Sequence, residues 1–303
     1  MKRREFIAAA SAAAAVVATA YAPVIAETPK KKILYFDYSN GFVHPPTVDH
    51  DGKLGSCGTV LKEIGEKNGY EIVCTKDGSV FDGDLSQYAA FIFYTCGTLD
   101  RPGGKVGTNM SEQGVKNFYE AIRNGAGWLG FHSAADTWKV GGPAFENAPE
   151  DKLNDYIKMI GGQFIVHGSQ QETELKIIDA DALPSIKDLP RPIRHHDEWY
   201  CLKNFAKDMH VIALQETEGM VNTGGNSCYD RPAYPCIWVR MEGKGRVAYS
   251  SLGHGDNHWA LPLVKNTVED LVKIVVKDRD VDMTPNFDKV CPNAVICKNP
   301  DAK

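Results

Sequence analysis

Two periods alternate along the first half of the chain. Apolar runs of five or six residues recur at Lys32–Asp37, Tyr70–Cys74, Ala89–Tyr94 and Ala126–Phe131. Between them lie stretches with helical spacing. Val60, Leu61 and Ile64 share one face of 56–68, which Gly69 stops; Val115, Phe118 and Ile122 share one face of 111–124, which Ser111 opens as N-cap. Near-continuous apolar strands separated by amphipathic helices predict an α/β fold whose parallel sheet is covered on both faces. The second half reads differently. A helix over 150–160 ends at Gly161-Gly162, and strands follow at Gln163–Val166, Glu174–Ile178, Val211–Leu214, Ile237–Met241 and Arg246–Ser251. Glu242-Gly243-Lys244-Gly245 has the composition of a hairpin turn, so antiparallel strands are added to the sheet. A helix from Leu261 to Val276 closes the pattern. The polar, Pro- and Asn-rich residues after Asp278 predict an irregular tail. With no linker or repeat, the expected organisation is one domain over 27–277 and a tail over 278–303.

Ahead of this pattern stands MKRREFIAAASAAAAVVATAYAPVIA. A basic start, an Ala-rich apolar run and small residues at Val24-Ile25-Ala26 are the parts of a cleaved export signal over 1–26; the run is too weakly apolar to span a membrane. Arg3-Arg4 before Glu5-Phe6-Ile7 matches a twin-arginine signal, and no Cys follows the run to take a lipid anchor. The expected location is therefore periplasmic or secreted, without membrane attachment after processing. Removing residues 1–26 takes away three positive charges and one negative, so the net charge of −5 becomes −7. A mildly acidic chain is a poor partner for nucleic acid or anionic membranes. The eight cysteines include no zinc-finger CxxC pair. In an exported protein, Cys228/Cys236 and Cys291/Cys297 are the best local disulfide candidates, while Cys74 and Cys96 lie in apolar runs and are expected as buried thiols.

The candidate chemistry sits at strand ends. In parallel sheets, ligands bind at the carboxyl ends of strands. His44 follows the first strand in Ser39-Asn40-Gly41-Phe42-Val43-His44, and His132 follows the fourth in Gly130-Phe131-His132-Ser133-Ala134. His167 and His254 end two further apolar runs, and Arg194-His195-His196-Asp197-Glu198 forms a polar cluster. Imidazoles with carboxylates suit a divalent metal, zinc first, or general acid–base catalysis; no HExxH-type spacing decides between them. Metal ligands are expected at His132, His167 and His254, and catalytic groups at His132, His254, Asp197 and Glu198. A strand-end His132 is expected to face the crevice rather than the core. Ser133 reads as a helix N-cap, since the GxSxG elbow of serine hydrolases is missing. Gly103-Gly104-Lys105-Val106-Gly107 completes neither a P-loop nor GxGxxG, so no nucleotide cofactor is indicated.

These segments together resemble the trehalose-utilisation (ThuA-like) family. The likeness is carried by Ser39–His44, Gly127–Ala134, Ile160–Phe164 with His167, Asp197–Tyr200, Pro235–Trp238 and Gly243–His254, in family order across 33–275. It implies a flavodoxin-like, class I glutamine amidotransferase-like three-layer sandwich in which His132 replaces the nucleophilic Cys at the elbow. It also implies carbohydrate metabolism, with disaccharides or 3-keto sugars as substrates. On that reading His44, Trp138, Trp199 and Trp259 would contact the sugar. The alternative is a non-catalytic sugar- or partner-binding protein on the same scaffold.

The twin-arginine reading predicts that replacing both Arg3 and Arg4 with Lys stops export. Following the protein in the periplasmic fraction tests it, and unchanged export would contradict it.

Overall fold

A computed structural model of the chain describes residues 30–224 and 228–294. The export signal expected over 1–26 lies outside the described residues, as does Cys297. The core is a nine-stranded sheet. Its parallel half comprises β1 (Lys32–Phe36), β2 (Glu71–Thr75), β3 (Tyr88–Phe93) and β4 (Gly127–Phe131). Helices α1 (Ser56–Asn68) and α2 (Glu112–Asn124) link them, as the spacing predicts. Then follow α3 (Asp155–Ile160), β5 (Gln163–His167), β6 (Gln171–Ile177), β7 (Arg194–Asp197), β8 (Tyr200–Lys203) and β9 (His210–Gln215). The chain continues through β10 (Tyr234–Glu242), β11 (Gly245–Ser250), α4 (Asp256–Trp259), α5 (Pro262–Val275) and α6 (Phe287–Val290). The strand order is β2-β1-β3-β4-β11-β10-β9-β6-β7, with β5 and β8 as a separate antiparallel pair.

β11 pairs parallel to β4, and β10 returns antiparallel through the predicted hairpin. The first five strands thus have the 2-1-3-4-5 order of a flavodoxin-like fold, extended by four strands that run on from β10. One apolar cluster gathers α1 and α5 residues such as Leu61, Leu271 and Val272; a second, containing Phe118 of α2 and Ile157 of α3, makes the other layer. Among the described residues no helix is long and apolar enough to cross a membrane.

Several expectations need correction. The helix over 150–160 is a 3-10 turn (Glu150–Lys152) followed by α3, because the Asn154 side chain accepts from the Ile157 N–H at 2.9 Å and starts the helix there. Ser133 is not an N-cap: it lies inside a short 3-10 helix, His132–Asp136, with its hydroxyl buried. The polar cluster Arg194–Asp197, for which no strand was expected, forms an edge strand. Cys228 and Cys236 are not disulfide-bonded; Cys236 sits in β10 with its Sγ 3.6 Å from the Ala213 carbonyl. Cys96 is buried, as expected, and Cys74 is partly buried. The segment after Val276 is irregular apart from α6. It is nevertheless docked, because the Asn286 side chain bonds both the N–H (2.7 Å) and the carbonyl (3.1 Å) of Val211.

The elbow after β4 is tight. His132 has φ +42°, a conformation rare outside glycine. A Cβ on Gly130 would lie 2.2 Å from the Trp128 ring and 2.9 Å from the Ala134 Cβ. Trp128 is fully buried and has nowhere to move. Gly130→Ala is therefore expected to destabilise the fold by about 1–3 kcal/mol, a drop of several degrees in the calorimetric midpoint. An unchanged midpoint would show that the elbow has slack.

Candidate functional site

Four segments meet at the carboxyl edge of the parallel strands. The loop after β1 brings His44, the elbow after β4 brings His132, the loop after β11 brings His254, and the β7–β8 turn brings Glu198. Each of these residues offers a ligand atom, and all four atoms lie within 4.8 Å of one another. His132 Nδ1 is 2.7 Å from the Ser251 carbonyl oxygen, which can only accept. The proton therefore sits on Nδ1, and in the neutral ring Nε2 carries a lone pair. That lone pair faces Glu198 Oε2 at 3.3 Å and His254 Nδ1 at 3.2 Å; His254 Nδ1 is itself 3.0 Å from the same carboxylate oxygen. A carboxylate oxygen and an imidazole lone pair repel at this distance unless a proton or a cation lies between them.

The site's electrostatics follow from burial. Burial, which a positive charge on His132 or His254 would reinforce, pushes His44 down to about 2, so its ring is neutral. For Glu198, burial alone would raise the carboxyl. Protonated His132 and His254 rings would outweigh it by hydrogen bond and charge and hold the group below the usual carboxylate range.

Behind the site lies Asp197, almost wholly buried. It accepts from the N–H groups of Gly253 (2.7 Å), His254 (3.2 Å) and Glu198 (2.8 Å). His195 Nε2 and His258 Nδ1 each stand 3.1 Å from its oxygens. His195, Asp197 and His258 form a second compact group of ligand type. Its carboxylate, however, has about four lone-pair positions and already meets three N–H groups and His195, while His258 Nδ1 accepts the Gly255 N–H at 3.1 Å, so the group fits a hydrogen-bonded anchor better than a cation site. Asp197 thus supports Glu198 and His254 from the rear.

The structure places the other expected site residues as follows. His132 is fully buried rather than facing open crevice, and its ring packs on Tyr200 with centroids 4.0 Å apart. His44 belongs with the lone-pair donors, its Nε2 3.4 Å from the Tyr200 hydroxyl. His167 stands outside the four-donor group, half-exposed, with Nδ1 3.3 Å from Glu198 Oε1. Trp199 and Trp259 are core residues and cannot stack on a ligand. Trp259 packs on Phe131 and donates to the Gly253 carbonyl at 2.9 Å. Trp138 is half-buried, its Nε1 held by Asp100 at 2.6 Å. The residues that line the crevice are instead Phe42, His44, Asp136, Phe164, His167, Glu198, Tyr200 and His254, around a cavity of about 330 Å³. Four hollows of about 450–590 Å³ lie elsewhere, but none of the four is lined by more than one imidazole. Phe42, Phe164, Asp136 and Tyr200 were not among the expected site residues, although Phe42 stands two residues before His44 and Phe164 three before His167.

A flavodoxin-like sheet with histidine at the elbow, and with imidazoles and a carboxylate converging beside it, defines the class: an α/β protein with a histidine–carboxylate cluster at the carboxyl edge of its parallel strands. The sequence confirms the kinship: residues 32–272 match the ThuA family, described as trehalose utilisation, and the chain belongs to that family. Solved structures agree on the fold. A ThuA-like protein from Bacteroides uniformis superposes with a TM-score of 0.57 at 19% identity, covering 88% of this chain and 98% of its own. A second, from Parabacteroides merdae, gives 0.55 at 18%, covering 84% and 92%. No curated protein matches the chain.

Asp197→Asn tests the anchor. Removing one partner from a buried charged network typically costs about 3–5 kcal/mol. Burial would raise the Asp197 carboxyl, but the hydrogen bond from His195, joined by one from His258 when that ring is protonated, outweighs it and holds it well below the ordinary range. A carboxyl depressed in the fold stabilises fully above its unfolded pKa, roughly 4, and loses that contribution as pH falls below it. The variant should therefore be less stable at pH 7, and its stability should fall less steeply between about pH 4 and 2. Parallel acid-unfolding curves for variant and wild type would contradict this.

Proposed function

We propose that the protein is an exported, carbohydrate-transforming enzyme that acts on a glycoside or its 3-keto form in the crevice above His44, His132, His254 and Glu198. We further propose that these four residues hold one divalent cation, zinc first. The observation that carries the reading is the convergence of lone pairs. His132 Nε2, His254 Nδ1 and Glu198 Oε2 stand 3.0–3.3 Å apart. A tetrahedral zinc with bonds near 2.0–2.1 Å would space its ligand atoms by about 3.3 Å. The Ser251 carbonyl fixes the His132 tautomer from behind, as outer partners do at metal sites.

When bound, such an ion would polarise a carbonyl or activate a water. The protein's own residues supply the remainder. Phe42 and Phe164 offer flat apolar walls to a sugar ring, and Asp136 and His167 offer polar contacts to its hydroxyls. The burial that keeps His44 neutral leaves it a ligand rather than a charge. Membership of a family described as trehalose utilisation supports a sugar as the substrate class. Twin-arginine export, which carries folded proteins, would allow the ion to be loaded before translocation.

Protein purified from its native compartment is expected to hold about one equivalent of divalent metal. It should consume trehalose, another disaccharide or a 3-keto derivative, lose turnover with chelator, and regain it with zinc. Glu198→Gln and His254→Ala should each lose the metal on dialysis against chelator while staying folded. A metal-free protein that binds a sugar without converting it would be the non-catalytic sugar-binding protein instead.

A further inference from the structure

A second cavity lies at the same edge of the sheet, over the ends of β1 and β2. It encloses about 450 Å³ and shares no lining residue with the crevice. The two are nevertheless built on one loop: Phe42 and His44 line the crevice, and Val43 between them lines this cavity. Val43, Val48 and Val106 give it an apolar side. Its polar side holds Asp37 and Ser39, after β1, and Lys76, after β2. Lys76 Nζ bridges Asp37 Oδ2 at 2.6 Å and Asp49 Oδ2 at 3.3 Å. Asp37 is only 6% exposed, yet among the described residues no donor meets its Oδ1 at hydrogen-bond distance; the nearby Tyr35 hydroxyl is itself without a partner. Ser39 is equally buried, and its hydroxyl makes no hydrogen bond among the described residues. Buried polar groups left open on a cavity are costly unless water or a ligand meets them. Burial pushes the Asp37 carboxyl up to about 6 against the pull of Lys76, so at pH 7 it is ionised and accepts. The roof is the glycine-rich segment Gly103–Gly107, which completes no nucleotide motif. Gly107 has φ +85°, and a Cβ there would run into the Lys76 carbonyl oxygen. The Thr108 N–H donates to that same carbonyl at 3.0 Å. The glycine thus lets the loop lie on the end of β2 and brings Lys105 and Val106 to the cavity.

The charges around this space cancel, Asp37 and Asp49 against Lys76 and Lys105. An ammonium ligand on Asp37 Oδ1 would stand beside Lys76. A carboxylate or phosphate on Lys76 would stand beside two carboxylates. Either ion would leave water without gaining a free counter-charge. An uncharged hydroxyl group meets neither cost. Its O–H can donate to Asp37 Oδ1, and its oxygen can accept from Ser39 or from the Lys76 N–H not spent on a carboxylate. The three valines call for a C–H face on the ligand's other side, and the volume is in the range of small-molecule sites, about 300–1,000 Å³. We propose that this cavity is a second binding site and takes an uncharged cyclic polyol, a sugar-type ring with its hydroxyl edge on Asp37 and Ser39 and its C–H face on Val43, Val48 and Val106. The assignment stands on the groups of this cavity alone and holds whether or not the crevice is catalytic or carries a metal.

The test is a nitrogen-15 NMR titration of the mature protein at pH 7 with three probes: methyl β-D-glucopyranoside, which is uncharged, D-glucuronate, an anion, and N-methylglucamine, a cation. The glucoside should give saturable shifts at the Val48, Lys76 and Val106 amides, and each charged probe should bind there at least about tenfold more weakly. Asp37→Asn, which keeps the side-chain shape but not the ionised acceptor, should weaken the glucoside at these amides by about 10–100-fold. Val106 is 63% exposed, so Val106→Trp should keep the wild-type thermal midpoint while filling the cavity and abolishing the shifts; it carries the test if Asp37→Asn fails to fold. Glucoside shifts confined to the His44, Glu198 and His254 amides would overturn the second site and leave the crevice reading in place. No saturable shift at the cavity amides, tighter binding of either charged probe there, or wild-type affinity in a folded Asp37→Asn or Val106→Trp would also overturn it. Shifts at the cavity amides with none in the crevice would support the second site and count against the crevice as a sugar site.

Discussion

The site depends on one buried carboxylate. Asp197 gathers N–H groups from Glu198, Gly253 and His254 and imidazoles from His195 and His258. These groups come from the end of β7, the loop after β11 and α4, segments separated by more than fifty residues of chain. A buried anion is tolerated only when its oxygens are fully engaged, so those segments must all be in place for Asp197 to be stable. The same requirement sets the backbone positions of Glu198 and His254, two of the four cavity-facing donors. Precision at the front of the site is thus a by-product of satisfying a charge at its rear.

The parallel half of the sheet fixes the other two donors. β1 and β4 are five-residue apolar strands buried by helices on both faces, and their carboxyl ends deliver His44 and His132 with little freedom. The strained elbow at His132 is held from two sides: the Tyr249 hydroxyl donates to its backbone carbonyl at 2.8 Å, and its own ring donates to Ser251. The architecture therefore presents whatever side chain occupies the pivot, and here that is an imidazole with one nitrogen committed to the scaffold and one to Glu198 and His254.

The legibility of these parts in the sequence followed their physics. β1, β3 and β4 read as continuous apolar runs because both their faces are covered, and α1, α2 and α5 carry helical periodicity because one face of each packs on the sheet. The strand-end histidines were visible for the same reason, since a polar residue directly after an apolar run is conspicuous. β7 was not visible: Arg-His-His-Asp has no apolar alternation, and it pairs only with β6 at the sheet edge. Asp136 was missed because a 3-10 turn leaves no extended pattern; the strand carrying Phe164 was legible, but not that this apolar position faces the crevice. Trp199 and Trp259 misled in the opposite direction. Large aromatic side chains next to histidines suggest a ligand platform, yet burying so much apolar area in the core is the stronger drive, and both rings went inside. The buried His132 overturned the expectation of an open strand end, because Tyr200, on a strand the sequence did not disclose, covers its ring.

The position of β7 has a consequence for motion. An edge strand has a ladder on one side only, and local opening in proteins begins where backbone hydrogen bonds are fewest. β7 is four residues long and leads directly into Asp197 and Glu198. Glu198 therefore hangs from an element with a ladder on one side only, while His44, His132 and His254 follow strands paired on both sides. Fluctuations of the molecule would move the carboxylate side of the crevice against a fixed imidazole side, like a jaw on a stationary anvil. The timescale of that movement would be set by local opening at the sheet edge rather than by global unfolding.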